Sequence, residues 1–320
     1  MGARQEIPSE LGGSFIVGDA IAAGVRPGRL RGRDLDKPFH GIRVVPEADP
    51  ASTDPWEARR AHILRLASAY APRLGEDRFF SHETAAAIWG APLFERGEVL
   101  LHVSTVGTGP VARGRGVRGH RTKRQCTSTW IVRGLRVASF ATLWASMGTS
   151  LARDQLVVLG DYGCRVWRDG YNRPHSGRRP ITTPEELLAA MRAGRRVGID
   201  RLRDAHPMVR LDAWSPRETR ARLLLIDAGL PDPRLNVDVY DAHGGFIACV
   251  DLAYPEFKVA IEYQGQLHGE QYARDIERIE RLRADGWIVI QVTSHNLRYP
   301  NVVARRTYEA LRSRGWRRQP

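Results

Sequence analysis

The chain has 320 residues, 42% of them hydrophobic, enough to build two domains and too apolar for wholesale disorder. Its net charge of +13 is carried mostly by arginine, and residues 201–320 hold 19 Lys/Arg against 16 Asp/Glu, so +10 lies in the first 200 residues. A basic chain of this kind suits a polyanionic partner, DNA or RNA, although arginine-rich usage can also reflect genome composition.

No run of about 18 apolar residues occurs, and the opening MGARQEIPSELGG lacks the apolar stretch of a signal peptide. The expectation is a cytoplasmic protein with no membrane partner. Cys126, Cys164 and Cys249 are odd in number and far apart, without a CxxC pair. That argues against a disulfide framework or a cysteine-rich zinc site.

In chain order, residues 15–45 suggest two short helices and a strand. Ala20–Ala23 make the first helix, Gly24 the turn, and RPGRLRGRDL a second helix bearing Arg26, Arg29, Arg31 and Arg33. With GIRVV as a wing strand, this is a winged helix-turn-helix candidate, and an exposed basic hairpin is the alternative. Gly28 and Gly32 weaken the second helix.

DPWEARRAHILRLASAYAPRL follows as an amphipathic helix with Ile63, Leu64, Leu66 and Ala67 on its apolar side. SHETAAAIWGAPL starts another at Ser81. His82 and Glu83 there are read as cap residues, because no second histidine follows at i+4. VLLHVST and STWIVRGLRVAS are strand-like, and 107–124 between them is a Gly- and Arg-rich loop without a GK[ST] phosphate signature. Its Arg113, Arg115, Arg118 and Lys123 could lie along a phosphate backbone, or be solvated. A long helical stretch over FATLWASMGTSLARDQLVVLGDYGCR, an Arg-rich connection and a helix over TPEELLAAMRAG complete the first 200 residues.

From Ser215 the pattern sharpens. Ser215 caps a helix with Pro216 first inside it and Glu218 three residues on, and Gly229 and Pro231 end it. A hairpin through DAHGG, a third strand FKVAIEYQG, a helix ended by Gly286, the strand WIVIQVTS and a closing helix give the order α-β-β-β-α-β-α. Two acids interrupt the apolar strands, Asp251 and Glu262. Glu262 and Gln264 stand at i and i+2 and so share a face, where Asp251 of the neighbouring strand can meet them. Two converging carboxylates suit a Mg2+ or Mn2+ ion.

This order, with acids at these places, resembles the PD-(D/E)XK endonuclease fold. More narrowly, SPRETRARLLLIDAGLP, VDLAYPEFKVAIEYQGQLH and RDIERIERLRADGWIVIQVTSHNL are similar to the Vsr-like (very-short-patch-repair-like) family, over about residues 212–300. That resemblance implies a site of Asp251, Glu262, His268 and Asp275, with Glu218 facing it from the first helix. Where the family usually has Asp, this chain has Gln264, which removes a charge. FIVGDAIAAGVRPGRL, FFSHETAAAIWGAPL and LLHVS are similar to the AbiEi-type antitoxin-like winged-helix region, over about residues 10–150. In that family the region binds DNA or regulates.

Three residues keep a second reading. Glu218 can act in a capping box, His268 can simply end a loop, and Asp275 can pair with Arg278 or Arg281 on its own helix. The expected fold is α/β: a restriction-endonuclease-like α-β-β-β-α-β core behind an N-terminal, mainly α-helical, winged-helix-containing region. The expected domains are 1–60 (winged helix-turn-helix), 61–210 (mixed α/β, basic) and 211–320 (Vsr-like). The expected function is metal-dependent DNA endonuclease, with a non-catalytic antitoxin-type regulator as the alternative. A homodimer is compatible with either.

Overall fold

The computed structural model describes residues 5–46, 52–171, 173, 175–263, 270–293, 296 and 299–318. Gln264 and His268, expected at the site, lie outside the described residues. The chain divides into two compact units, Met1–Leu156 with Pro184–Asp204, and Val157–Thr183 with Ala205–Pro320. Both are α/β, with mixed open sheets and flanking helices.

In the first unit, β1 (Ser14–Ile16) runs into α1 (Val17–Ala22) and pairs antiparallel with β2 (Ile42–Val44), Phe15 opposite Arg43. Phe15, Ala20, Val25, Leu30 and Leu35 form a small core beneath them. The expected basic second helix does not form. Only a single 3-10 turn, Arg29–Arg31, stands between Gly28 and Gly32. Two glycines in five residues cost about 1 kcal/mol each in a helix, and that leaves no net drive to propagate one. Arg29 is tied to Asp34 at 2.8 Å and to the Gln5 carbonyl at 2.7 Å, whereas Arg26, Arg31 and Arg33 are exposed.

Next come α2 (Pro55–Tyr70), β3 (Arg78–Phe80), α3 (His82–Trp89), β4 (Leu101–Val106), β5 (Val117–Thr122), β6 (Thr129–Val132) and β7 (Leu135–Ala138). Asp54 caps α2, its carboxylate accepting from the Trp56 amide at 2.8 Å. The strands form one sheet in the order β5-β4-β3-β7-β6, so this unit is mixed α/β rather than mainly helical. Part of the expected 107–124 loop is in fact edge strand, β5 running parallel to β4 with His120 opposite Ser104. Gly119 makes this possible, because a Cβ there would stand 2.1 Å from the Ala112 carbonyl of the loop folded over it. Arg133 and Gly134, both with positive φ, turn β6 into β7 as a two-residue hairpin.

The long helical stretch is two helices, α4 (Phe140–Ser146) and α5 (Arg153–Cys164), separated by a 3-10 turn at Met147–Thr149. Ser139 caps α4, accepting from the Thr142 amide. Two short helices, α6 (Pro184–Arg192) and α7 (Ile199–Ala205), follow.

The second unit has α8 (Pro216–Asp227), β8 (Arg234–Tyr240), β9 (Phe246–Tyr254), β10 (Val259–Tyr263), α9 (Glu270–Ala284), β11 (Ile288–Val292) and α10 (Pro300–Ser313), the order expected from sequence. Its sheet runs β11-β10-β9-β8, with β10 and β11 parallel and the other pairs antiparallel. Leu252, Tyr254, Val259 and Ile261 pack with Ala221 and Leu225 of α8 and with Val303 and Leu311 of α10. Val250, Ala253 and Ala260 pack instead with Leu282 of α9 and with Trp287. The sheet is thus covered on both faces, which is why β10 reads as a continuous apolar run.

The Arg-rich segment after α5 is anchored, not free. Arg173 donates to Asp238 of β8 at 2.6 Å and to the Asn236 carbonyl at 2.9 Å, and Arg168 donates to Asp238 and Asp212. Asp161 of α5 is buried, accepting from the Arg210 amide at 2.7 Å and from Thr219 Oγ1 at 2.8 Å, with the fully buried Arg222 guanidinium 3.8 Å away. Burial pushes the Asp161 carboxyl up to about 6, against the pull of these partners. Asp161→Ala leaves Arg222 with Asp232, 3.4 Å away, as its carboxylate partner, and takes the acceptor from the Arg210 amide and the Thr219 hydroxyl. The variant is expected to lose about 1–3 kcal/mol of unfolding free energy in urea melts.

Candidate metal sites

In the second unit β9 and β10 pair with Leu252 opposite Ile261 and Ala253 opposite Ala260, and Asp251 and Glu262 each stand two positions along from the Ala253–Ala260 pair. Directly opposite residues of an antiparallel pair share a face, as do residues two apart on one strand. The two acids therefore meet on the face covered by α9. The Asp251 Oδ2 accepts from the Tyr263 amide at 2.8 Å, so the carboxylate itself takes the place of a backbone ladder partner. Glu262 is 1% exposed and pairs with Arg278 of α9 at 2.9 Å. Arg278 also holds Asp275 at 3.0 Å.

Asp275 therefore pairs on its own helix, in line with one of its two readings, and is joined to the sheet acids through the same guanidinium. Glu218 takes part in the helix cap, in line with one of its two readings. Ser215 caps α8 by accepting from the Glu218 amide at 3.2 Å. The Glu218 carboxylate reaches past the cap to the Trp214 amide and to Asn236 Nδ2, each at 2.8 Å. No sequence signal marks Asn236 for this role. It stands in β8 with a left-handed backbone (φ 49), a conformation Asn tolerates better than most residues, and this turns its amide towards Glu218.

The carboxyls of Asp251, Glu262 and Glu218 are all held above their ordinary range, chiefly by burial. Burial pushes Asp251 up to about 6, and the Glu218 carboxylate adds to the shift. Burial pushes Glu262 up to about 8, helped by the Asp251 charge and opposed by Arg278. Glu218 is also raised, mainly by burial, although the Trp214 amide, Asn236 and the nearby Arg165 pull it back. Arg278 and Arg165 offset these shifts only in part, and a hard divalent cation would suit the oxygens of the group.

The groups that draw three donor atoms within 4.8 Å of one another, among the described residues, lie elsewhere. They are His82, His102 and His120, and Glu83, Glu95 and His102, both in the first unit. Either set can chelate a divalent cation. Here the cap reading of His82 and Glu83 is corrected. Ser81 makes no side-chain cap bond. Glu83 is buried in a two-pronged pair with Arg59, Nε to Oε1 at 2.9 Å and Nη2 to Oε2 at 2.8 Å.

The His82 ring stacks on His120 with centroids 3.8 Å apart, and His102 Nδ1 lies 3.0 Å from His120 Nε2. Burial lowers the pKa of all three, to about 3 for His102 and about 4 for His120, with Arg118 acting in the same direction. Sequence reasoning misses His102 and His120 because they are far apart in the chain, although a histidine inside the apolar run LLHVS is a signal.

The basic residues expected to contact nucleic acid are separate from the acid cluster in sequence. Arg113, Arg115, Arg118 and Lys123 are exposed, along the loop before β5, on that edge strand and just after it.

In the metal-free protein the raised carboxyls set a sign for stability against pH. These carboxyls hold more protons in the folded state than in the unfolded chain between roughly pH 4 and pH 8, so their contribution to stability falls as pH rises through that window. The three histidines with lowered pKa act in the opposite sense up to about pH 6.5. Thermal melts in chelator at pH 5.5 and pH 8 isolate the carboxyl part by difference, because the histidine part is common to the wild type and a Glu262 variant. The change in Tm from pH 5.5 to pH 8 should be more negative in the wild type than in Glu262→Gln.

No protein-family model matches the chain. Over 116 residues, 35% of its length, it is 34% identical to the uncharacterized protein Rv2248 of Mycobacterium tuberculosis (strain ATCC 25618 / H37Rv). The uncharacterized protein MT2308 of M. tuberculosis (strain CDC 1551 / Oshkosh) matches to the same extent. The matched stretch spans 42% of the length of these curated relatives.

Proposed function

We propose that the chain is a metal-dependent DNA endonuclease, hydrolysing phosphodiester bonds at the acid cluster of its C-terminal unit, with a Vsr-like, PD-(D/E)XK-type site. The observation that carries this reading is the pair Asp251 and Glu262, close together on adjoining strands and both held above the usual carboxylate range. An apolar sheet has no structural need for two such acids, and their shared charge calls for a cation. Asp251 and Glu262 are the residues that would hold Mg2+ or Mn2+. The bound ion would polarise the scissile phosphate and acidify a water.

The remaining roles belong to the chain's own groups. The Tyr263 amide fixes the Asp251 carboxylate, and Arg278 orients Glu262 and Asp275. Glu218, held by Trp214 and Asn236, adds negative charge beside Asp251. Gln264, the departure from the family pattern, and His268 complete the proposed set. Nucleic acid is engaged through phosphate contacts from Arg113, Arg115, Arg118 and Lys123, with Arg26, Arg31 and Arg33 as further contacts. Arg29 contributes to the loop through Asp34.

A second reading has one specific observation in its favour. Arg278 already partners Glu262 and Asp275 without any ion, as a purely structural network would. A non-catalytic DNA-binding regulator of the AbiEi antitoxin type fits that arrangement.

Plasmid nicking separates the two. An active nuclease cuts in Mg2+ or Mn2+ and is silenced at least ~100-fold by Asp251→Ala and by Glu262→Gln, with folding checked by melting, while Gln264→Asp raises the rate or shifts the metal preference. A regulator binds DNA and none of the four proteins cuts. Cleavage by Glu262→Gln at the wild-type rate would remove that carboxylate from the mechanism.

The basic edge is tested by salt dependence. Replacing Arg113, Arg115, Arg118 and Lys123 together with alanine is expected to weaken DNA binding. The slope of log K against log salt should shrink by about 0.9 for each phosphate that the variant no longer neutralises. An unchanged slope would assign these side chains to another partner.

A further inference from the structure

We propose that His82, His102 and His120 of the N-terminal unit form a zinc site, with its fourth coordination position open to the cavity beside it. This goes beyond the nuclease reading: the donors are imidazole nitrogens rather than oxygens, and the residues belong to the other unit. Imidazole favours Zn2+ over Mg2+ or Ca2+, which take hard oxygen ligands.

Three separate elements deliver the ligands. His82 is the first residue of α3, His102 lies in β4, and His120 lies in the edge strand β5. In the parallel register His120 stands opposite Ser104, two residues beyond His102, so both histidines project from the same face of the sheet. His102 Nδ1 and His120 Nε2 are 3.0 Å apart, and all three donor atoms fall within 4.8 Å. Nitrogens bound tetrahedrally at about 2.0–2.1 Å from one zinc stand about 3.3 Å apart, so the pair is already near coordination spacing.

The other ring nitrogens are arranged as they are behind metal-bound histidines. His82 Nδ1 lies 3.0 Å from Ser81 Oγ, which leaves Nε2 as its donor towards the group. His102 is 2% exposed, and its Nε2 is buried without a hydrogen-bond partner, the nearest carboxylate oxygen being Glu95 Oε2 at 3.8 Å. That geometry suits a carboxylate–histidine–metal relay, in which Nε2–H turns to Glu95 and Nδ1 is left to ligate. Without an ion, a nearly fully buried imidazole keeps one nitrogen unsatisfied.

Space and compensating charge are present as well. A cavity of about 340 Å³ lies beside the group, lined by His82 and His120 together with Ser81, Ser104, Arg121 and Lys123. It gives the stacked His82 and His120 rings room to rotate about χ2 until their lone pairs converge. It also leads from solvent to the fourth position, where a water or small anion would sit among hydroxyl and cationic side chains. Glu95 and Glu83 offset the ion's charge against Arg118 and Arg59, which lie near the histidines.

The test uses the full chain, freed of any polyhistidine tag, stripped with chelator, loaded with Zn2+ and desalted before elemental analysis. We expect about one zinc per chain in the wild type and in the Asp251→Asn/Glu262→Gln double variant, and less than about a fifth of that in His82→Ala and in His120→Ala. Both histidines are only partly buried, and thermal melting identifies the variants that remain folded. Co2+ in place of zinc should give the intense visible bands of a tetrahedral site, shifted by added azide. No zinc in folded wild type, full zinc in either folded histidine variant, or weak octahedral Co2+ bands would overturn the site. A tetrahedral spectrum indifferent to azide would overturn the open fourth position.

Discussion

Much of the C-terminal unit follows from one constraint, the compensation of the Glu262 carboxylate inside an apolar sheet. A bare carboxylate at 1% exposure costs several kcal/mol, and the fold meets this in two ways. The proton stays on to a higher pH than usual, and Arg278 of α9 supplies a positive charge. The Arg278 link fixes the azimuth of α9 on the sheet, because Leu282, one turn further on, must then fall against Ala253 and Ala260. Asp251 meets the same difficulty with a backbone donor, the Tyr263 amide, in place of a salt bridge. The result is a group of acids anchored from one side and still short of positive charge.

The N-terminal unit sets a parallel problem with histidines. His102 sits in β4, where Leu101 and Val103 on either side are fully buried. Its Nδ1 meets His120 Nε2, while its buried Nε2 has no hydrogen-bond partner. In both units, then, buried polar side chains are incompletely paired at a place where strands and helices converge, and both sets have donors suited to a cation. Their chemistry differs: oxygen in one, nitrogen in the other. A single ion type would not serve both equally.

The positive charge also divides into two kinds. Arg59, Arg173, Arg222 and Arg278 are buried or partly buried and bound to carboxylates, so they hold the fold and leave little field outside it. Arg113, Arg115, Arg118 and Lys123 are exposed around one edge strand and project their charge into solvent. Net charge alone overstates the surface available to a polyanion, since a paired guanidinium contributes little to the long-range potential.

Sequence by itself determined the order of elements in the C-terminal unit, because caps, glycine stops and hydrophobic period are local signals. Ser215, Pro216 and Gly229 bound α8, and the apolar run around Glu262 marks β10 as a covered strand. It also identified Asp251 and Glu262 as acids out of place, whereas Glu218 and Asp275 are associated with them only through the family resemblance. The pattern after Gly28 suggests a basic helix that its own glycines prevent, and β5 is illegible because a glycine- and arginine-rich strand has no apolar alternation. What only the tertiary structure decided are relations between residues distant in the chain: Asn236 turned towards Glu218, Arg278 bridging two acids, and three histidines from a helix and two strands brought together. Such groupings depend on strand register and helix azimuth, which are fixed by packing summed over the whole unit and leave no trace in any single stretch of sequence.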